Sequence, residues 1–395
     1  MANDHAFCQL IDWFRQSKAF VPQSEHLLPL MKATYTVEEA KLLTGIPLTL
    51  SSIELLAGIK NEDPDVLRAK LDELAVRGLV YRQTRQGIQT YRLNPPRFVF
   101  LRSFFWPGHH DTYTQTVAAH VTRYYKDGFG DHWKDVKTKG LRAIPIQKTL
   151  SDTRTVRPYE DVLAVLRTQE RFAVAHCPCR EMKNLDPSQP DCKHDTENCL
   201  HFGKLADYIV ENGLGREIGR SECEAILKKA ATAGLVHAIS NWQENVDTIC
   251  NCCRCCCVYF QAFHVLGHTE SMSPSNYEVL ITHETCSGCG KCVKRCPMEA
   301  LSLQPHPGAT SKNGKVSTLN LKRCIGCGVC AYGCPTASLT LRQRTQISDP
   351  PLNVNELKER YAAERTELRA KKGFSGSSED DFTVDVSSGE ALSES

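Results

Sequence analysis

Two runs of this chain repeat each other closely enough to fix the chemistry of the segment that holds them. Cys286-Ser-Gly-Cys289-Gly-Lys-Cys292-Val-Lys-Arg-Cys296-Pro297 and Cys324-Ile-Gly-Cys327-Gly-Val-Cys330-Ala-Tyr-Gly-Cys334-Pro335 both read C-x2-C-x2-C-x3-C-P. Their flanks, CPMEALSL and CPTASLTL, repeat as well. Three cysteines at i, i+3 and i+6 on a tight loop reach three irons of one cubane. Gly288, Gly290, Gly326 and Gly328 let the backbone wrap closely and turn N–H groups toward sulfur. The fourth cysteine of each run opens a helix pointing elsewhere. Zinc is the competing ligand, but it favours two separated knuckles closing one tetrahedral site, not two such runs each followed by proline.

The rest of the cysteines are also clustered. Of twenty in 395 residues, eight lie in 286–334 and ten in 177–199 and 250–257, leaving Cys8 and Cys223 as plain thiols. The N-terminus, MANDHAFCQLIDWFRQ, lacks a basic stretch followed by an apolar one, and runs such as FVFLRSFFW fall short of a membrane span. The expectation is a cytoplasmic protein, where clustered thiols bind metal or do redox chemistry rather than form disulfides. A formal net charge of +2 gives no global pull toward nucleic acid or an anionic membrane. The length suits several domains, and the expected class is α+β.

Residues 1–98 hold the first domain. Residues 33–93 read helix, helix, helix, hairpin: TVEEAKLLTGI stops at Gly45 and Pro47, and SSIELLAGI starts from Ser51 or Ser52. DPDVLRAKLDELAVRGL sets Val66, Leu67, Leu71, Leu74 and Ala75 on one face, and VYRQTRQGIQTYRL turns at Gly87. This order resembles a winged helix-turn-helix. Asp63, Asp65, Asp72 and Glu73 offset Arg68, Lys70 and Arg77 on its would-be recognition helix, which argues for docking over DNA reading. The wing is more basic, with Arg82, Arg85, Arg92 and Arg97. Residues 99–158 are a connecting helical segment in which Asp111 caps a helix and FFWPGHH packs on a neighbour. His109, His110, His120 and His132 read as surface or core histidines.

Residues 159–270 form a cysteine-rich α/β domain. RFAVAH and LVHAIS read as strands, and CLHFGKLADYIVENGLG as a helix ending at Gly213. SECEAILKKAATAGL reads as a helix with Ser221 and Glu224 in capping-box spacing. Residues 275–345 are the duplicated unit, whose polar connector QPHPGATSKNGKVSTLN extends a hairpin away from the ligands. In 346–395, VNELKERYAAERTELRAKKG reads as a solvated helix capped by Asn353 and Glu356, with Glu356–Arg360 and Glu367–Lys371 pairs and a stop at Gly373. The serine-rich acidic tail after it reads as disordered.

The central cysteines are spaced as His176-Cys177-Pro-Cys179-Arg180, then Cys192 and Cys199, then Cys250-Asn-Cys252-Cys253-Arg-Cys255-Cys256-Cys257. A cubane takes four thiolates, so ten cysteines suffice for one or two more clusters, with zinc or a reactive dithiol as the other readings. Covalent haem is disfavoured because no C-x-x-C-H occurs. The candidate further ligands are Cys177, Cys179, Cys192, Cys199, Cys250, Cys253 and Cys257, the last three ahead of Cys252 and Cys256. Arg180 and Arg254 are placed to offset cluster charge.

The duplicated unit resembles a bacterial two-[4Fe–4S] ferredoxin. That resemblance implies one cluster on Cys286, Cys289, Cys292 and Cys334, and another on Cys324, Cys327, Cys330 and Cys296. With CPCR, CLHFG, AGLVH and CNCCRCCC ahead of it, the chain is similar to multidomain winged-helix/iron–sulfur ferredoxin proteins of anaerobic bacteria. The family implies a cytoplasmic electron-transfer role. No dinucleotide fingerprint is present: GLGREIG is G-x-G-x-x-x-G in a helix connection. The leading expectation is therefore an oxygen-sensitive iron–sulfur carrier, or electron-transfer subunit, that serves a partner oxidoreductase. The alternatives are a redox-sensing DNA-binding regulator and a reductase whose central cluster has an open site.

Overall fold

The computed structural model describes residues 2–152 and 156–371. Five helices open the chain: Ala2–Gln16, Leu27–Thr34, Val37–Leu43, Ile53–Lys60 and Pro64–Val76. Their starts follow local chemistry. Thr36 and Glu39 form a reciprocal capping box, Ser52 accepts from the Leu55 N–H, and Asp63 accepts from Asp65 and Val66. The short strand β1 (Ser51–Ser52) joins the hairpin of β2 (Val80–Arg85) and β3 (Ile88–Leu93) in the order β1-β3-β2. Leu67, Leu71, Leu74 and Ala75 are buried as expected, but Val66 is 49% exposed, because it lies at the edge of that stripe.

The centre is a six-stranded antiparallel sheet, β4-β8-β9-β6-β5-β7. Its strands are β4 (Leu141–Ala143), β5 (Phe172–His176), β6 (Glu197–Phe202), β7 (Arg216–Glu217), β8 (Val236–Ser240) and β9 (Thr248–Cys252). Three expectations change here. The sheet draws β4 from the segment expected to be a helical connector. ENCLHF is a strand, so the helix begins only at Gly203; Glu197, Cys199, Leu200, His201 and Phe202 pair with β5, and Leu200 and His201 also with β9, before the helical pattern starts. The next helix, Arg220–Ala233, has Gly219 rather than Ser221 at its N-cap. FFWPGHH does pack on a neighbour: Trp106 is fully buried and meets the His201 ring edge-on.

The C-terminal unit pairs β10 (Tyr277–Ile281) with β13 (Leu339–Gln343), and β11 (Leu301–Pro305) with β12 (Lys315–Leu319). Short helices, Lys291–Arg295 and Val329–Tyr332, follow the two cysteine loops. The unit is joined to the sheet domain by main-chain bonds from Ile146 to Cys327 (3.3 Å), Ser151 to Leu341 (2.9 Å) and Ser275 to Ile325 (3.0 Å). The helix Val354–Lys371 is not a solvated arm. Val354, Leu357 and Tyr361 form a buried stripe against the N-terminal core, and Glu364 accepts from Thr138 N–H (2.8 Å) and Oγ1 (2.7 Å). Asn353 does cap it through the N–H groups of Asn355 and Glu356, and Glu356 pairs with Arg360. Gly373 and the acidic tail lie outside the described residues. Among the described residues no helix is long and apolar enough to cross a membrane.

Candidate metal centres

The duplicated loops place their thiols as two groups. Cys296, Cys324, Cys327 and Cys330 line one small cavity of about 20 Å³, walled by Val279, Met298, Leu301, Leu319 and Ile325. Cys296 comes from the first run and the other three from the second. Cys334, from the second run, lies near Cys289, and Cys289 and Cys286 lie near Cys292. Glycine makes the wrapping feasible. At Gly326, φ is +68° and a Cβ would stand 2.2 Å from the Tyr277 carbonyl oxygen; at Gly288, φ is +62° and it would stand 2.6 Å from that of Lys315.

Donors aim at the sulfurs. Ala300 N–H donates to Cys296 Sγ (3.2 Å) and Ser317 N–H to Cys286 Sγ (3.5 Å), while Ser317 Oγ lies 3.3 Å from Cys292 Sγ. The connector hairpin therefore does touch these thiols, because Ser317 sits on β12 directly above them. Burial pushes the Cys292, Cys296, Cys327 and Cys330 thiols up. Such groups ionise only beside a compensating cation, which a metal supplies.

The central domain builds a second, larger site. Period-two alternation puts Cys250 and Cys252 on one face of β9, and the pairing Leu200–Ile249 brings Cys199 of β6 beside them. Cys177 and Cys257 stand at the N-caps of the helices Pro178–Leu185 and Val258–His264, and Cys179 lies in the first turn of the former. These six thiols, with Cys253, line a cavity of about 120 Å³ closed by Arg97, Arg102, Trp133, Val258 and Tyr259. Arg102 donates to Thr248 Oγ1 (2.8 Å), and Arg97 lies over the Trp133 ring at 4.9 Å. Neighbouring thiols divide their protons. Cys179 and Cys252 bring Cys257 down to about 5, and Cys199 and Cys252 bring Cys250 down; Cys250 and Cys257 push Cys252 up.

Arg180 is fully buried beneath this site. It donates to Asp195 O (2.7 Å), Asn198 Oδ1 (2.7 Å) and Asn251 O, which ties the CPCR helix to β6 and β9. Burial would lower its pKa, but nearby Cys177 and Cys253 outweigh that and hold it above its ordinary value. Arg254, expected to share that role, instead turns outward to Glu299, which also pairs with Arg323 at 3.0 Å. Cys192 leaves the cavity to join Cys253, Cys255 and Cys256. Cys8 is exposed and Cys223 is buried apart from both groups. The soft, all-sulfur donor sets, the glycine cradles and the adjacent guanidinium fit thiolate-ligated clusters.

Residues 285–338 match the protein family described as the 4Fe-4S dicluster domain. The match makes this a ferredoxin-like iron–sulfur segment. With the clustered cysteines, it supports an electron-transfer role with [4Fe–4S] cofactors. A search of curated proteins found no match for the chain. Beyond the dicluster segment, Cys252, ranked from sequence behind Cys250, Cys253 and Cys257, lines the cavity beside all three through its alternation with Cys250. Sequence reasoning also overlooked Cys255, which only the folded turn brings to Cys192.

Proposed function

We propose that this chain is an oxygen-sensitive cytoplasmic electron carrier, in which the dicluster segment and a cluster in the central cavity form one relay to a partner oxidoreductase. The observation that carries this reading is one shared apolar core. Cys250, Cys252 and Cys257 of the central cavity pack in the same cluster as Cys296, Cys324 and Cys327, together with Ala238, Met298 and Val329. In the proposed assignment Cys286, Cys289, Cys292 and Cys334 hold the outer cluster, and Cys296, Cys324, Cys327 and Cys330 hold the one in between. Four of the six thiols Cys177, Cys179, Cys199, Cys250, Cys252 and Cys257 hold the central one.

When bound, each cluster supplies one-electron chemistry at a potential set by charge, hydrogen bonding and exposure. The chain does the rest. Cys289 is exposed, so the outer thiol set faces a donor or acceptor. Cys327 and Cys330 are buried, which shields the middle of the path. Arg97 and Arg102 place positive charge at the central cavity, which favours the reduced state there.

The N-terminal unit reads best as a winged-helix module used for docking. Its wing is covered by the helix Gly203–Glu211: Tyr81 stacks on Tyr208 with ring centroids 4.0 Å apart, and Thr84 N–H donates to Glu211. Arg82 is held by Asp72 and the Glu211 carbonyl, Arg92 lies over Tyr81, and Arg97 faces the cavity. Most of the wing's positive charge is thus engaged within the chain.

The relay is tested by a redox titration of anaerobic protein, followed by EPR and iron analysis. Wild type should show three iron–sulfur centres. Cys250→Ser, Cys252→Ser and Cys257→Ser together leave three of the six thiols, so this variant should lose the third centre, with about four irons, and keep two. Two centres in both proteins would refute the relay.

A further inference from the structure

The ten central cysteines do not converge on one site. Cys192, Cys253, Cys255 and Cys256 form a separate group whose sulfur atoms all lie within 4.8 Å of one another. Cys192 Sγ is 3.5 Å from Cys255 Sγ and 3.9 Å from Cys253 Sγ, and Cys255 Sγ is 3.5 Å from Cys256 Sγ. Four thiolates on one tetrahedral zinc ion, with Zn–S of about 2.3 Å, stand roughly 3.8 Å apart. In a cubane each thiolate binds its own iron, so the sulfurs are held wider. The dicluster segment shows the contrast: among the described residues, no three of its thiols approach within that limit.

The scaffold around the group is built for a closed site. Cys256 and Cys257 N–H groups donate back to Cys253 O, which folds the run into a tight turn. Gln261 Nε2 binds the Arg254 and Cys255 carbonyls, at 3.2 and 3.3 Å, and Lys183 Nζ binds Cys255 O at 3.0 Å. Asn184 Oδ1 accepts from the Cys192 N–H at 2.8 Å and so fixes the one ligand from outside the turn. Four thiolates leave a divalent ion with net negative charge, and Arg180 and Lys183 stand beside them to offset it.

We propose that Cys192, Cys253, Cys255 and Cys256 bind a single soft divalent ion, zinc, in a structural tetrathiolate site distinct from the cluster cavity. The site fastens the loop before β6 to the cysteine turn after β9. It closes one wall of the cavity without taking part in electron transfer, because zinc has no accessible redox step.

Full-length protein purified anaerobically, without added zinc, is the material for the test. Metal analysis should give about one zinc per chain, and zinc-edge X-ray absorption should give four sulfur neighbours at about 2.3 Å. Cys255 is exposed, so Cys255→Ser leaves the packing intact. It should change the shell to three sulfurs and one lighter atom. Cys255→Ser with Cys256→Ser should remove the zinc while iron content and EPR signals persist. Absence of zinc from the wild type would overturn the site. So would a four-sulfur zinc shell unchanged by Cys255→Ser, or loss of about four irons in the double variant. The iron signals report on the relay separately, so failure of one proposal is not failure of the other.

Discussion

At the scale of single residues, three positions have consequences that can be measured. Gly326 and Gly314 share a left-handed backbone, with φ of +68° and +65°, but a Cβ at Gly314 meets nothing within 4 Å. Gly314→Ala should therefore cost about 1 kcal/mol from backbone conformation alone. Gly326→Ala drives a methyl into Ser275 and the Tyr277 carbonyl, so it should cost well over ~2 kcal/mol and lower iron content. Anaerobic denaturation of the two variants checks the contrast.

His132 is packed against Phe20 and Tyr361, and its buried Nε2 has no hydrogen-bond partner. Burial, with Arg365 and Arg97 nearby, lowers its pKa from 6.5 to about 2. The folded imidazole stays neutral while the unfolded one takes a proton below its ordinary pKa. The contribution is thus complete above about pH 6.5, and falls as pH drops toward 2, by up to ~1.4 kcal/mol per unit. His132→Phe should flatten the decline in stability between about pH 7 and pH 5. An unchanged slope would mean that other groups set it.

The elements show what sequence patterning carries and what it omits. Helix starts at Thr36, Ser52, Asp63 and Asp111 were readable, because capping is a contact of nearest neighbours in sequence. The CLHF part of the strand Glu197–Phe202 was read as the start of a helix, because its pairing with β5 and β9 is long-range. The hairpin residue Ser317 and the packed stripe of Val354–Lys371 were missed for the same reason. The ferredoxin motifs were readable because each run supplies most of its site locally. At the central site Cys177, Cys179, Cys199, Cys250 and Cys257 were candidates from sequence, but not how they group, since they come from strands and helix ends that only the sheet brings together.

Arg180 is the residue that joins those elements. Arg180→Met would leave Asn198 Oδ1 and Asn251 O without that donor in a buried setting, while Asp195 O keeps the Asn198 amide. The expected loss is about 3 kcal/mol or more, with central iron lost on denaturant titration before the dicluster signals. Simultaneous loss of all iron signals would show instead that the chain unfolds as one unit.

For the whole molecule, the proposed relay requires the central cavity and the dicluster segment to be electronically continuous. The sheet domain and the C-terminal unit share an apolar core that contains cysteines from both sites. Around it, Arg295 donates to the Ala231 carbonyl (3.2 Å), and His264 Nε2 bonds to the Pro297 carbonyl (2.7 Å). Glu299 and its two arginines sit exposed at the rim and add little, as exposed ion pairs contribute roughly 0–1 kcal/mol. Apolar contact, rather than surface charge, is the main physical link between the two units.

EPR of the fully reduced, anaerobic protein tests this most directly. Three neighbouring paramagnetic centres should give broadened, interaction-split signals. Cys250→Ser, Cys252→Ser and Cys257→Ser together should simplify them to the pattern of a two-cluster ferredoxin. A wild-type spectrum that is already that two-cluster pattern, or a third signal that adds without splitting, would contradict the relay.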